Sequence, residues 1–174
     1  MKELKEYVRN IPDFPEKGII FRDISTVLQD PDGLKLAIDS LKEKLKDVDF
    51  DVVVGPESRG FIFGTPIAYT FNKAFVPVRK KGKLPFETIE ESYELEYGKA
   101  TLEIHVDSIK KGQKVVIIDD LMATGGTLKA IIKLIERLGG EVVKIACLIE
   151  LPELKGRKNL EGYVVESSII FEGK

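Results

Sequence analysis

Apolar positions recur along the chain in two rhythms. Between Asp32 and Val48, Leu34, Ile38, Leu41 and Leu45 fall four and three residues apart with Lys and Glu between them, which predicts an amphipathic helix. TLKAIIKLIERLGG (127–140) repeats the spacing and stops on two glycines, and GFIFGTPIAYTF (60–71) reads as a more apolar helix. The second rhythm is a short β-branched run. DVVVG (51–55), AFVPV (74–78), KVVIID (114–119) and EVVKIACLIE (141–150) predict strands, and the tail runs into VVESSII (164–170). Strand–helix–strand alternation predicts an α/β fold, a parallel sheet flanked by helices on both faces, in a single domain over 1–174.

Two stretches break these rhythms. The N-terminus, MKELKEYVRN, reads as a short amphipathic helix. It is followed by IPDFPEKGIIFRDIS (11–25), too punctuated by Pro and Gly for a helix and too aromatic for a linker. In residues 79–106 the basic RKKGKLP gives way to acidic ETIEESYELEYG and then to alternating ATLEIHV. This predicts a mobile hairpin or flap rather than core.

Composition narrows the class. At 43% hydrophobic and 32% charged the chain is ordinary globular material, and 27 basic against 29 acidic residues give a net charge of −2. That balance disfavours a nucleic-acid partner and requires any basic site to be local. The single Cys147 excludes an internal disulfide framework, and neither it nor the lone His105 has zinc-like neighbours. No stretch approaches the ~18 apolar residues of a membrane span, and the first ten residues lack the apolar run of a signal peptide. A soluble cytoplasmic protein is the expectation.

VVIIDDLMATGGT (115–127) carries the chemistry. Four apolar residues end in Asp119 and Asp120, then in a loop of small and hydroxyl residues, then in a helix. In an open α/β sheet ligands bind beyond the carboxyl ends of the strands, where this places the two acids. Gly125 and Gly126 allow close backbone approach to an anion, the helix start offers free N–H groups, and Thr124 and Thr127 add hydroxyl donors. A phosphate belongs on this loop. The acids would repel it, and suit instead the two hydroxyls of a ribose on the same ligand. No Gly-Lys-Ser/Thr follows and no G-x-G-x-x-G is present, which disfavours ATP and NAD.

Hydrophobic run, Asp-Asp and Ala-Thr-Gly-Gly-Thr together resemble the phosphoribosyl pyrophosphate signature of the type I phosphoribosyltransferases. The chain is similar from end to end to the adenine branch of that family. The resemblance implies the type I phosphoribosyltransferase fold, with an N-terminal hood (about 1–30) and the flap (about 79–106). It implies transfer of phosphoribose from phosphoribosyl pyrophosphate to adenine, giving AMP and pyrophosphate. Ala123, Thr124, Gly125, Gly126 and Thr127 would hold the 5-phosphate, and Asp119 and Asp120 the ribose hydroxyls. Mg²⁺ would arrive with the substrate rather than in a protein cage, and a homodimer is expected.

Three further segments fit this frame. GPESRGF (55–61) offers Arg59 as a planar donor fork, although an exposed arginine in a turn competes on this segment alone. The family uses this loop, Glu57, Ser58, Arg59 and Gly60, for pyrophosphate, with a cis peptide falling between Glu57 and Ser58. The cluster at 79–85 reads equally as a solvated charge run. Resemblance selects Arg79 and Lys83, with Lys80 nearby, as cations for the leaving group. In SYELEYG (92–98) a solvated face is the better reading of each glutamate singly. The family's Leu-Glu-Tyr-Gly element singles out Glu96 as the acid/base residue at N7 of the purine, with Tyr97 beside it. In FPEKGIIFRDIS (14–25), Phe21 alone reads as a packed loop aromatic. By resemblance it stacks on adenine opposite Leu121, while main-chain groups of Ile20 and Arg22 read the base. Enzymes for 6-oxopurines, a regulator that kept the fold, and a phosphoacceptor domain are the competing readings. The intact Arg59 and Glu96, and the absence of a basic helix, argue against the last two.

Overall fold

A computed structural model describes residues 1–95 and 97–173. Its centre is a seven-stranded sheet of β3 (Val52–Pro56), β4 (Ala74–Lys80), β5 (Thr88–Glu94), β6 (Lys99–His105), β7 (Lys114–Met122), β8 (Glu141–Glu150) and β9 (Val165–Ile170), ordered β5-β6-β4-β3-β7-β8-β9. The five strands from β4 to β9 in that order run parallel. Helices α2 (Pro31–Leu45) and α3 (Arg59–Thr70) cover one face, and α4 (Gly126–Arg137) the other.

Alternation in β7 feeds both cores. Val116 and Ile118 join Leu41, Leu45, Phe63 and Ile67 on one side. Val115 and Ile117 join Leu128, Ile131 and Ile135 on the other. All four β7 residues are fully buried, which is why this run is the most apolar of the chain. Helix α2 starts where Asp30 caps it, accepting from the N–H groups of Asp32 (2.9 Å) and Gly33 (3.2 Å) with Pro31 in the first turn. It ends at Leu45 rather than Val48, because the Val48 N–H closes a tight turn onto the Leu45 carbonyl (3.0 Å).

Strand β3 connects through α3 to β4 on one side, and β7 connects through α4 to β8 on the other. The order therefore reverses between β3 and β7, the position at which such sheets open a crevice at their carboxyl ends.

One expectation is corrected. The N-terminal helix is one 3-10 turn (Leu4–Tyr7), followed by β1 (Arg9–Pro12) paired antiparallel with β2 (Ile20–Asp23). Pro12 cannot continue a helix and favours extended backbone before it. The pairing sets Arg9 opposite Asp23, and their ion pair closes at 2.5 Å. A short helix α1 (Ser25–Leu28) follows. Residues 79–106 form the expected hairpin, and most of those described are exposed or half-buried. Strand β6 pairs with both β4 and β5, Leu102 and Ile104 are buried, and Ile89 and Tyr93 pack on the α4 side. At the tip, Leu95 and Tyr97 are exposed.

Asp23 pins the hood. The Ser25 hydroxyl and N–H, then Arg9, hold its carboxyl down to about 2. A depressed carboxyl stabilises the folded state above its unfolded value of 3.8, and that contribution is lost as pH falls toward 2. Asp23→Asn is expected to remove stability at pH 5 to 7 but little at pH 2, as read by urea titrations across that range. A constant difference at all pH values would contradict it.

Candidate active site

The crevice between β3 and β7 is a cleft of about 440 Å³. It is lined by the loop after β3 (Pro56 to Arg59), by Lys80, and by the continuous run from Asp119 to Leu128.

The floor comes from β7. Asp119 and Asp120 are only 7% and 6% exposed. The Asp120 N–H donates to Asp119 Oδ1 at 2.8 Å, and Arg59 Nε lies 2.7 Å from Asp120 Oδ2. Burial pushes the Asp119 carboxyl well above the ordinary carboxylate range. The neighbouring Asp120 charge adds to this, and Arg59 partly offsets it. Two carboxylates this close, with one cation beside them, leave acceptor oxygens facing the cleft.

The wall opposite is the loop into α4. Gly125 sits at the N-cap with φ 82°, a left-handed conformation that glycine adopts without strain, and no side chain caps the helix. The first-turn N–H groups and the positive end of the helix dipole therefore face the cleft. A segment that sequence reasoning passed over supports this loop. Residues Gly156–Leu160 form a 3-10 turn beneath it, and Asn159 Nδ2 donates to the Thr124 carbonyl at 2.7 Å. The turn is fixed by Arg157, whose guanidinium forks onto buried Glu150 (2.7 and 2.9 Å), while Ser167 donates to Glu150 at 2.6 Å. No local signal marks these residues, since their partners lie in other strands.

The residues expected on the pyrophosphate side divide. Ser58 and Arg59 line the cleft beside the Glu57–Ser58 peptide, which is cis. Gly60 lies beneath, where a Cβ would stand 2.7 Å from Pro56 Cδ and 3.2 Å from Asp119 Oδ1. Glu57 also lines the cleft, but its carboxylate accepts from the Lys80 N–H (2.8 Å) and Arg79 Nε (3.2 Å). Arg79 thus turns toward Glu57 and the Lys83 carbonyl (3.4 Å), and of the four cations at 79–83 only Lys80 reaches the cleft wall.

On the hood, Phe21 packs edge-on against Phe14 (5.3 Å between centroids), and the Arg59 guanidinium lies 5.9 Å from its ring. That contact joins the hood to the cleft. Ile20 is half-buried in the pairing with Pro12. The Arg22 side chain turns away, to Asn10 Oδ1 (2.6 Å) and over the Phe171 ring. Leu121 is half-buried in the cleft wall. Tyr97 is 86% exposed at the hairpin tip, and Glu96 lies outside the described residues.

An acidic floor facing an uncapped helix start, at the switch point of a parallel sheet, is the arrangement expected of a phosphoribosyl-handling protein. The sequence profile of the phosphoribosyl transferase domain matches residues 23–173. The chain is 69% identical over 174 residues to an adenine phosphoribosyltransferase of Lachnoclostridium phytofermentans, covering the whole of both proteins. Its structure superposes on that of adenine phosphoribosyltransferase from Thermoanaerobacter pseudethanolicus with a TM-score of 0.94, at 53% identity, covering 97% of this chain and 98% of that one. The Saccharomyces cerevisiae enzyme, solved with an imino-altritol bisphosphate and adenine, gives a TM-score of 0.89 at 39% identity, covering 95% and 96%. The chain belongs to the adenine phosphoribosyltransferase family, within the type I phosphoribosyltransferases.

Proposed function

We propose that this cleft transfers the phosphoribosyl group of phosphoribosyl pyrophosphate to adenine, releasing AMP and pyrophosphate. One observation carries the reading: the uncapped start of α4 and the Asp119–Asp120 pair face each other across a single cleft of about 440 Å³. They are the two grips a sugar phosphate needs, one for its phosphoryl end and one for its diol.

The 5-phosphate rests on Ala123, Thr124, Gly125, Gly126 and Thr127, receiving N–H and hydroxyl donors. Asp119 and Asp120 accept from the ribose hydroxyls, and their charge opposes the positive charge that develops at the anomeric carbon as the leaving group departs. Arg59 and Lys80, with Arg79 and Lys83 behind them, supply positive charge on the pyrophosphate side. The main chain from Glu57 to Gly60 faces the same anion, since the Glu57 carboxylate is committed to Arg79 and Lys80. Adenine lies between Phe21 and Leu121, read by main-chain groups of Ile20 and Arg22. Its N9 attacks the anomeric carbon while Glu96 manages the purine proton, and Tyr97 helps to close the hairpin tip over the site.

Among the described residues, no group of three or more His, Cys, Asp or Glu side chains could hold a metal. The oxygen donors at the cleft, with Glu57 committed elsewhere, suit Mg²⁺ that would arrive with the pyrophosphate, and Asp119 and Asp120 are the carboxylates that would help to hold it. Bound so, Mg²⁺ would neutralise charge on the leaving group.

The protein works in the cytoplasm as a homodimer. A single buried, unpaired cysteine suits a reducing compartment. Ile62 and Tyr69, seven residues apart on α3, leave apolar surface of the kind a second copy covers. Among the described residues, no helix is long and apolar enough to cross a membrane.

Single-turnover assays with labelled adenine, hypoxanthine and guanine, each with and without Mg²⁺, test the reading. AMP should form from adenine and depend on Mg²⁺. Comparable turnover of a 6-oxopurine would overturn the base assignment. In the same assay Glu96→Gln should lower kcat by about 10²-fold or more, the scale of a general acid–base contribution, with little change in KM. Weakened binding at unchanged turnover would refute the role of Glu96.

A further inference from the structure

Tyr93 is a residue that neither the signature nor the resemblance selects. It stands on β5, three residues before Glu96, with its ring against the start of α4. A Cβ added to Gly126 would lie 3.1 Å from Tyr93 Cδ2. Its hydroxyl is 2.8 Å from Thr127 Oγ1, and the geometry allows either oxygen to be the donor. Thr127 itself lines the cleft.

Counting protons resolves that ambiguity once the site is occupied. Each hydroxyl has one proton and can also accept. A phosphate dianion only accepts, so Thr127 must give it its single proton. Thr127 can then serve Tyr93 only as acceptor, and Tyr93 must donate. We infer that Tyr93 is a positioning residue for the 5-phosphate, the first member of a relay in which Tyr93 donates to Thr127 and Thr127 donates to the anion. This inference rests on the phosphate reading of the loop given above. The relay has two consequences. A chain of aligned hydroxyls is polarised by its terminal charge, so the Thr127 donor is stronger than an isolated one. The same bond ties β5 to the phosphate loop, so an anion on α4 fixes the hydroxyl orientation at the foot of the strand that leads to Glu96.

The test is a double-mutant cycle with ribose 5-phosphate as the probe, its dissociation constant measured by calorimetry, alongside steady-state KM values for both substrates. Tyr93→Phe keeps the ring and removes one oxygen. It should weaken ribose 5-phosphate binding roughly five- to tenfold, the scale of one hydrogen bond in a charged network, and leave the adenine KM within about twofold. Thr127→Val should weaken binding at least as much, and adding Tyr93→Phe to it should cost little more, because the relay is already broken. Thr127→Ser restores the hydroxyl and should restore the sensitivity to Tyr93→Phe. Additive losses, or a Tyr93→Phe protein with unchanged ribose 5-phosphate binding, would overturn the relay while leaving the phosphate site intact. A wild-type protein that does not bind ribose 5-phosphate would overturn the underlying reading and the relay with it.

Discussion

Gly125→Ala is expected to lower kcat/KM for phosphoribosyl pyrophosphate by about 10²-fold or more in a protein that still folds. The position is constrained twice. Its φ of 82° lies in the left-handed region, where a residue with a Cβ pays about 1–2 kcal/mol. A Cβ there would also stand 2.6 Å from the Gly156 carbonyl oxygen and 3.3 Å from Asn159 Cβ. The Gly156–Leu160 turn is poorly able to yield, since Arg157 is forked onto Glu150, which Ser167 also holds. The phosphate loop has to move instead. Its proposed task is to aim first-turn N–H groups at an anion, and a displacement near 1 Å at such a site costs on the order of 10²-fold in rate. The KM for adenine should change much less, because Phe21 and Leu121 lie elsewhere. Steady-state kinetics with circular dichroism as a folding control decide the matter. A folded Gly125→Ala protein with near-normal kcat/KM would remove the loop from the site.

The contrast between Gly125 and Gly156 shows which parts of the site could be read from the sequence. The strand β7, its two acids, the glycine loop and α4 are contiguous, and each leaves a local trace: a fully buried strand is an unbroken apolar run, and an uncapped helix start needs small residues. The predicted order of strands and helices from 51 to 150 holds for the same reason. The turn under the loop left no trace, because Gly156 and Asn159 matter only through residues some thirty positions away. The packing of the hairpin was hidden on similar grounds. Alternation in ATLEIHV is real, but whether its apolar side faces solvent or α4 depends on β6 pairing with β4, a contact between Lys80 and Leu102 across the loop. Side-chain commitments were equally hidden. Arg59 lies on Asp120 and Glu57 holds Arg79, pairings that join separate elements at the carboxyl edge of the sheet. The N-terminal turn and hairpin follow Pro12 and the Arg9–Asp23 pair rather than the apolar spacing of MKELKEYVRN.

Asp119→Asn is expected to reduce transfer by about 10²- to 10³-fold, the scale of one lost electrostatic contact to a transition state, while making the free protein more stable at neutral pH. Burial raises the Asp119 carboxyl, with help from the Asp120 charge, so folding favours its neutral form. A group raised on folding contributes stability that is fully present below its unfolded value of 3.8 and is lost as pH climbs through the folded value. At pH 7 the wild type therefore bears the cost of a carboxyl whose ionisation burial opposes, a cost that asparagine avoids, and the asparagine amide still offers an oxygen to the Asp120 N–H. The variant should melt about 2–4 °C higher at pH 7, the shift that roughly 1 kcal/mol produces in a domain of this size, and the gap should close toward pH 4. Asp120→Asn should show no such gain, because it leaves Arg59 without the carboxylate it holds at 2.7 Å. Thermal melts of the three proteins from pH 4 to 8 separate the two acids. If Asp119→Asn melts lower than the wild type at pH 7, the charge on Asp119 is supported by its surroundings, and the fold does not carry that cost for the sake of the ribose.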